Sequence, residues 1–137
     1  YWGAVYNYSK ALCEKNAASE GVASRCVFQH GDAKQLDFPD ESFDVVISNY
    51  VYHNVMGADM QKLLLESLRV LKKGGVFALN DDMKQKMYGD MEDFAQKLRD
   101  MGYEEVRLVD TAQEAFGSHR RAAMMMLGSS RLLVGRK

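Results

Sequence analysis

The chain has 137 residues, 47% of them hydrophobic, and a formal net charge of -1, with a sequence pI near 6.3. That is enough apolar material for a core, and the balanced charge excludes the basic footprint that nucleic acid or an anionic membrane surface requires. No apolar run approaches the roughly 20 residues needed to cross a bilayer. The opening residues carry no signal-peptide pattern, and Cys13 and Cys26 form neither a Cys-x-x-Cys pair nor part of a His/Cys cluster. The expectation is a soluble, cytoplasmic single domain over residues 1–137, with a small-molecule partner, no metal, no nucleic acid and no membrane.

Helical spacing runs from the first residues, with Val5, Tyr8, Leu12 and Ala18 as inward positions. Gly21 is the expected stop, because glycine accepts the left-handed backbone that closes a helix. Val22 to Gln29 reads as a short strand centred on Val27 and Phe28. Gly31-Asp32-Ala33 follows, then a turn at Asp37-Phe38-Pro39-Asp40, where the proline fixes φ and donates no amide hydrogen. Phe43 to Ser48 contains Val45-Val46-Ile47, a β-branched run of the kind buried on both faces, which predicts a central strand.

From Asp59 to Lys72, residues Met60, Leu64, Leu68 and Leu71 recur at helical spacing, and Lys72, Lys73 and Gly74 suit a helix carboxyl end. Val76 to Leu79 is the next strand. Asp90 to Met101 reads as a helix with Met91, Phe94, Leu98 and Met101 inward and Gly102 as its stop. Glu105 to Val109 is a strand, Ala122 to Leu127 an apolar run rich in methionine, and Ser130 to Gly135 a final strand. Alternating strands and helices predict an α/β fold with a parallel sheet and its ligand at the carboxyl ends of the strands. That rule puts Asp32, Asn49 and Asp81 on one rim.

Three stretches together carry a resemblance: Gly-Asp-Ala after a strand, Phe-Pro-Asp-Glu-Ser-Phe-Asp-Val-Val leading into another, and Arg-Val-Leu-Lys-Lys-Gly-Gly-Val before a third. In order and spacing, from about residue 31 to 81, they resemble the Rossmann-like (class I) S-adenosylmethionine-dependent methyltransferases, nearest the small-molecule and quinone-biosynthesis subgroup. The resemblance implies a mostly parallel sheet with an antiparallel carboxyl-terminal strand. It also implies an upstream strand with a glycine-rich loop, and a second strand ending in an acid for the ribose; neither is in this sequence. The chain therefore looks like a truncated domain lacking the first two strands. With the family order 3-2-1-4-5-7-6, strand three or four is then left with an open edge that would pair with another chain, as in a homodimer.

By resemblance Asp32 accepts a hydrogen bond from the adenine amine of S-adenosylmethionine and the Ala33 amide reads a ring nitrogen; the plain alternative for Asp32 is a turn cap. Asn49 and Tyr50 lie where the family approaches the amino-acid part of that cofactor, and Tyr50 suits ordinary packing equally well. Trp2 covers the adenosine or, alternatively, core. Tyr52 and His53 face the substrate side, His53 as a candidate general base or as a loop-bonded residue. Asp81 and Asp82 orient a substrate or form a solvated turn or cap. Met124, Met125 and Met126 line a lid or, preferably, pack the core. A nicotinamide-dependent oxidoreductase, which shares the doubly wound sheet, and a non-catalytic remnant of the domain are the alternatives.

Overall fold

The computed structural model describes residues 9–137 and divides the chain after Asp32 into a small first unit and a larger second one. In the first, Ser9 caps helix α1 (Lys10–Ser19) by accepting from the Leu12 amide at 3.2 Å. The helix buries Ala17 while Ala18, expected inward, is exposed, and Gly21 takes the left-handed conformation beyond its end at φ 69°. Val5, Tyr8 and Trp2 lie outside the described residues. The strand expected over Val22 to Gln29 is not formed: Ala23–Arg25 is a single 3-10 turn and Val27 is exposed. A strand requires a neighbour for its backbone groups, and none among the described residues pairs with this stretch.

The second unit is a four-stranded sheet of β1 (Phe43–Asn49), β2 (Leu71–Asp82), β3 (Glu104–Asp110) and β4 (Ser130–Arg136), in the order β1-β2-β4-β3. β1 and β2 are parallel; β4 runs antiparallel to both β2 and β3. This is the 4-5-7-6 half of the expected order, including its antiparallel carboxyl-terminal strand. The expectation of a central β1 is overturned, because among the described residues β1 is an edge strand in which Val45 and Ile47 are 55% and 76% exposed. A β-branched run reports strand preference, whereas its burial depends on what lies beside it.

Helix α2 (Met60–Arg69) begins where the Asp59 carboxylate accepts from the Lys62 amide. It buries Met60, Leu63, Leu64 and Leu68 against the sheet, the stripe its spacing predicts. The helix is shorter than expected because Leu71 already belongs to β2. Lys72, Lys73 and Gly74, expected to close it, instead form an irregular start to that strand, with the pairing register jumping between Phe43–Leu71 and Val45–Val76. Gly74 sits at φ 77° in this jump, and Lys72 pairs with Asp44. The cation at the helix end is Lys137, whose ammonium donates to the Leu68 and Arg69 carbonyls.

After the short α3 (Gln85–Tyr88), Asp90 caps α4 (Met91–Asp100) by accepting from Glu92 and Asp93 amides. Met91, Phe94 and Leu98 are buried as expected, but Met101 is exposed beyond the helix end. α5 (Thr111–Phe116) and α6 (His119–Met124) fill the connection from β3 to β4. Met124, Met125 and Met126 do not pack the core; Met124 is 80% exposed, and the inward residue of this segment is Ala122.

Candidate functional site

Asn49 ends β1 and Asn80 stands opposite it on β2, so the two amides meet at the carboxyl rim, the Asn80 Nδ2 donating to Asn49 Oδ1 at 2.8 Å. The next residue leaves the strand sharply. Tyr50 adopts φ 53°, while its amide still donates to the Asn80 carbonyl at 2.8 Å. The turn carries the chain into a 3-10 segment, Tyr52–Asn54, directly over the end of β2.

Asp81, at the end of β2, organises that segment. Its Oδ2 accepts from the backbone amides of Tyr52 and His53 at 2.9 and 3.3 Å. Its Oδ1 accepts from the Asp82 amide at 2.7 Å and lies 2.5 Å from His53 Nδ1. The Asp81 side chain is fully buried and that of His53 is 32% exposed. A carboxylate already taking three backbone N–H donors acts as an acceptor, so the imidazole donates to it from Nδ1 and Nε2 is the ring nitrogen left out of this pair. Buried acceptors of this kind are stabilised by their donors and lock the groups that supply them.

Asp81 and Asp82 are thus neither a solvated turn nor a helix cap. Asp82 is also buried, accepting from the Ser129 amide and pairing with Lys84 at 2.7 Å. The role of Asp81 was hidden in sequence because its partner lies 28 positions earlier. Tyr52 turns inward, its hydroxyl donating to Ser67 at 2.9 Å. Burial first, and the nearby Asp81 carboxylate as well, raise the Tyr52 and Tyr88 phenols above their ordinary range.

An open groove of about 530 Å³ runs along the second unit beside this rim, walled by Ala33, Val46, Asn49, Val51 and Tyr52. Its walls are largely apolar, with Asn49, whose Oδ1 is taken by Asn80, among its polar lining residues. Asp32 is exposed in the first unit and Ala33 opens the second. Of Asp32, Asn49 and Asp81, expected on one rim, the second unit holds Asn49 and Asp81, and it brings Tyr50 and His53 beside them. Among the described residues, no group of three or more His, Cys, Asp or Glu side chains could hold a metal ion, and no helix is long and apolar enough to cross a membrane.

A family model described as "Methyltransferase domain" matches residues 5–79, more than half the chain. The chain belongs to this methyltransferase family. Among curated proteins, it is 32% identical over 102 residues to 27-O-demethylrifamycin SV methyltransferase of Amycolatopsis mediterranei, covering 74% of this chain and 36% of that protein. It is 42% identical over 60 residues to demethylmenaquinone methyltransferase of Listeria welshimeri, covering 44% of this chain and 25% of that one. The chain thus spans about a quarter to a third of these relatives. The fold is similar to geranyl diphosphate C-methyltransferase from Streptomyces coelicolor A3(2), with a TM-score of 0.63 at 11% identity, covering 90% of this chain and 58% of that structure. Methyltransferase membership leaves the nicotinamide-dependent alternative without support.

Proposed function

We propose that this methyltransferase segment serves S-adenosylmethionine-dependent methyl transfer to a small-molecule acceptor, with His53 as the base that takes the acceptor's proton. The observation that carries the reading is the pairing of a part-exposed imidazole with a buried carboxylate at the strand rim. The cofactor supplies the chemistry of the transfer itself, an already activated methyl group on a sulfonium. Asp81 holds His53 in one tautomer, and its charge offsets the positive charge the imidazole gains on accepting a proton. The largely apolar groove, with the Asn49 amide in its wall, suits the cofactor's flat nucleoside and its polar chain, and Tyr50 follows Asn49 at the rim. Asp32 is assigned to the adenine amine, Ala33 to a ring nitrogen and Trp2 to the adenosine, with His53 on the acceptor side; Tyr52, expected there too, instead turns inward and walls the groove. The curated relatives, named for a rifamycin and a menaquinone precursor, support a small organic acceptor.

Calorimetric titration with S-adenosylhomocysteine tests the cofactor assignment. Micromolar binding lost in Asp32→Ala, with NADH silent, supports it; a folded sample giving no heat overturns it and favours the remnant reading. A transfer assay offering demethylmenaquinol and 27-O-demethylrifamycin SV tests the base, since His53→Gln should abolish turnover of whichever acceptor is methylated.

The same reading includes self-association and a reducing, cytoplasmic setting. The edge position of β1 with Ile47 and Val45 exposed supports the first, because an apolar strand edge is a template for pairing. Two free cysteines suit the second. Concentration-dependent sedimentation that Ile47→Lys abolishes is the expected result; a monomer at every concentration removes the dimer.

A further inference from the structure

Asn80, Thr111, Ser130 and Tyr50 come from four separate parts of the second unit and meet in one hydrogen-bonded chain. The Thr111 hydroxyl donates to Asn80 Oδ1 at 3.1 Å, Ser130 Oγ lies 2.7 Å from Thr111 Oγ1, and the Tyr50 hydroxyl lies 2.5 Å from Ser130 Oγ. Each hydroxyl has a single proton. Since Thr111 spends its proton on Asn80, Ser130 must donate to Thr111, and Tyr50 must donate to Ser130. The chain therefore has one direction, set at its far end by the Asn80 amide, whose nitrogen is engaged by Asn49. Ser130 is fully buried, so its hydroxyl has no water to fall back on.

Tyr50 in turn meets His53 edge to face, with ring centroids 6.4 Å apart and planes at 72°. This contact matters because the bond from His53 Nδ1 to Asp81 sets where the imidazole lies, while a hydrogen bond tolerates a spread of angles and so leaves the ring plane some torsional play. A second contact, on the ring itself, narrows that play and sharpens the direction of Nε2. Aromatic rings prefer this edge-to-face arrangement.

We propose that Ser130 and Thr111 are positioning residues for His53: they fix the Tyr50 ring, and Tyr50 holds the imidazole plane while Asp81 holds its Nδ1. The proposal rests on the reading of His53 as the base, and extends it to two residues that touch neither His53 nor the groove. It also commits the Tyr50 proton to Ser130, so that Tyr50 shapes the site without acting as its acid.

The experiment uses nuclear Overhauser contacts between the Tyr50 and His53 rings, with the imidazole nitrogen signals and the methyl shifts of Leu79 and Leu133 as controls for the Asp81 bond and the core. Ser130→Ala and the near-isosteric Thr111→Val should each reduce the ring contact severalfold while the His53 Nδ1 signal and core shifts persist. Thr111→Ser, which keeps the hydroxyl, should retain it. Two variants are used because loss of the buried Ser130 hydroxyl could itself unfold the protein. An undiminished contact in folded Thr111→Val overturns the proposal, as does loss of the contact in Thr111→Ser. The readout needs no acceptor, so its failure is distinct from failure of the base assignment, which His53→Gln tests by turnover.

Discussion

His53 Nδ1 and Asp81 Oδ1 lie 2.5 Å apart although the residues are 28 positions apart in sequence, and the carboxylate of the pair is wholly buried. Asp81 does two things at once: it ties down the Tyr52–Asn54 turn through backbone amides and it orients an imidazole. Asp81→Asn exposes the conflict between them. An asparagine offers one oxygen and one NH₂ group, so either the imidazole N–H or the backbone amides of Tyr52 and His53 face a donor instead of an acceptor. The expected result is a loss of about 2–3 kcal/mol in urea unfolding, together with loss of the fixed His53 tautomer in imidazole nitrogen spectra.

Gly75 marks the tightest backbone approach at the irregular start of β2. A Cβ there would stand 2.8 Å from the Asp44 carbonyl and 2.9 Å from the Lys72 carbonyl, neither of which can swing aside like a side chain. Gly75→Ala should therefore destabilise the protein by about 1–3 kcal/mol, the usual range for overpacking. Gly31→Ala, where a Cβ would meet nothing within 4 Å, serves as the neutral control. The denaturation midpoints of the two variants check this directly.

On the acid side, Glu66 is the group to follow. Its hydrogen bond from Arg69, at 3.0 and 2.8 Å, holds the Glu66 carboxyl below its ordinary 4.5. Arg69 meanwhile donates to the Leu36 and Phe38 carbonyls and so pins the turn before β1. A carboxyl lowered by folding contributes stability above its unfolded value and loses it as the pH falls through the folded one. The stability difference between wild type and Glu66→Gln should be full near neutrality and shrink as the pH falls below about 4.5. A difference that grows in acid would contradict this.

Alkaline titration should show the opposite limb. Burial raises the Tyr52, Tyr88 and Tyr103 phenols, the last with Glu41 adding to the effect. Their contribution is intact below the ordinary 10.0 and is lost as the pH rises through the higher folded values. Of the seven tyrosines, these three should ionise late by ultraviolet absorbance, catching up with the rest when the protein unfolds.

The second unit was legible in sequence wherever one element reveals its own faces. Leu64 and Leu68 announced α2, Phe94 and Leu98 announced α4, and the quoted stretches from Gly31 to Asp81 carried the family resemblance. The same reading misplaced residues whose surroundings come from elsewhere: Val27, Ile47 and Met124 are apolar yet exposed. Apolar character says that a side chain would gain by burial, and nothing in the local pattern says which neighbour is there to cover it.

The site divides along the same line. Residue order alone put Asp32, Asn49 and Asp81 at strand ends, because in an alternating α/β chain the carboxyl ends of parallel strands share one rim, and the family resemblance added Tyr50 and His53 just beyond. Tertiary structure alone decided that Asp81 would be buried under His53, and that Thr111 and Ser130 would close a hydrogen-bonded chain on Tyr50. The first depends on β1 pairing with β2, Asn49 opposite Asn80, and the second on β4 inserting beside β2 with Ser130 opposite Asp82. Sequence periodicity records the faces of single helices and strands, whereas polar contacts between distant residues exist only once strand order and register have brought their atoms within a hydrogen bond's reach.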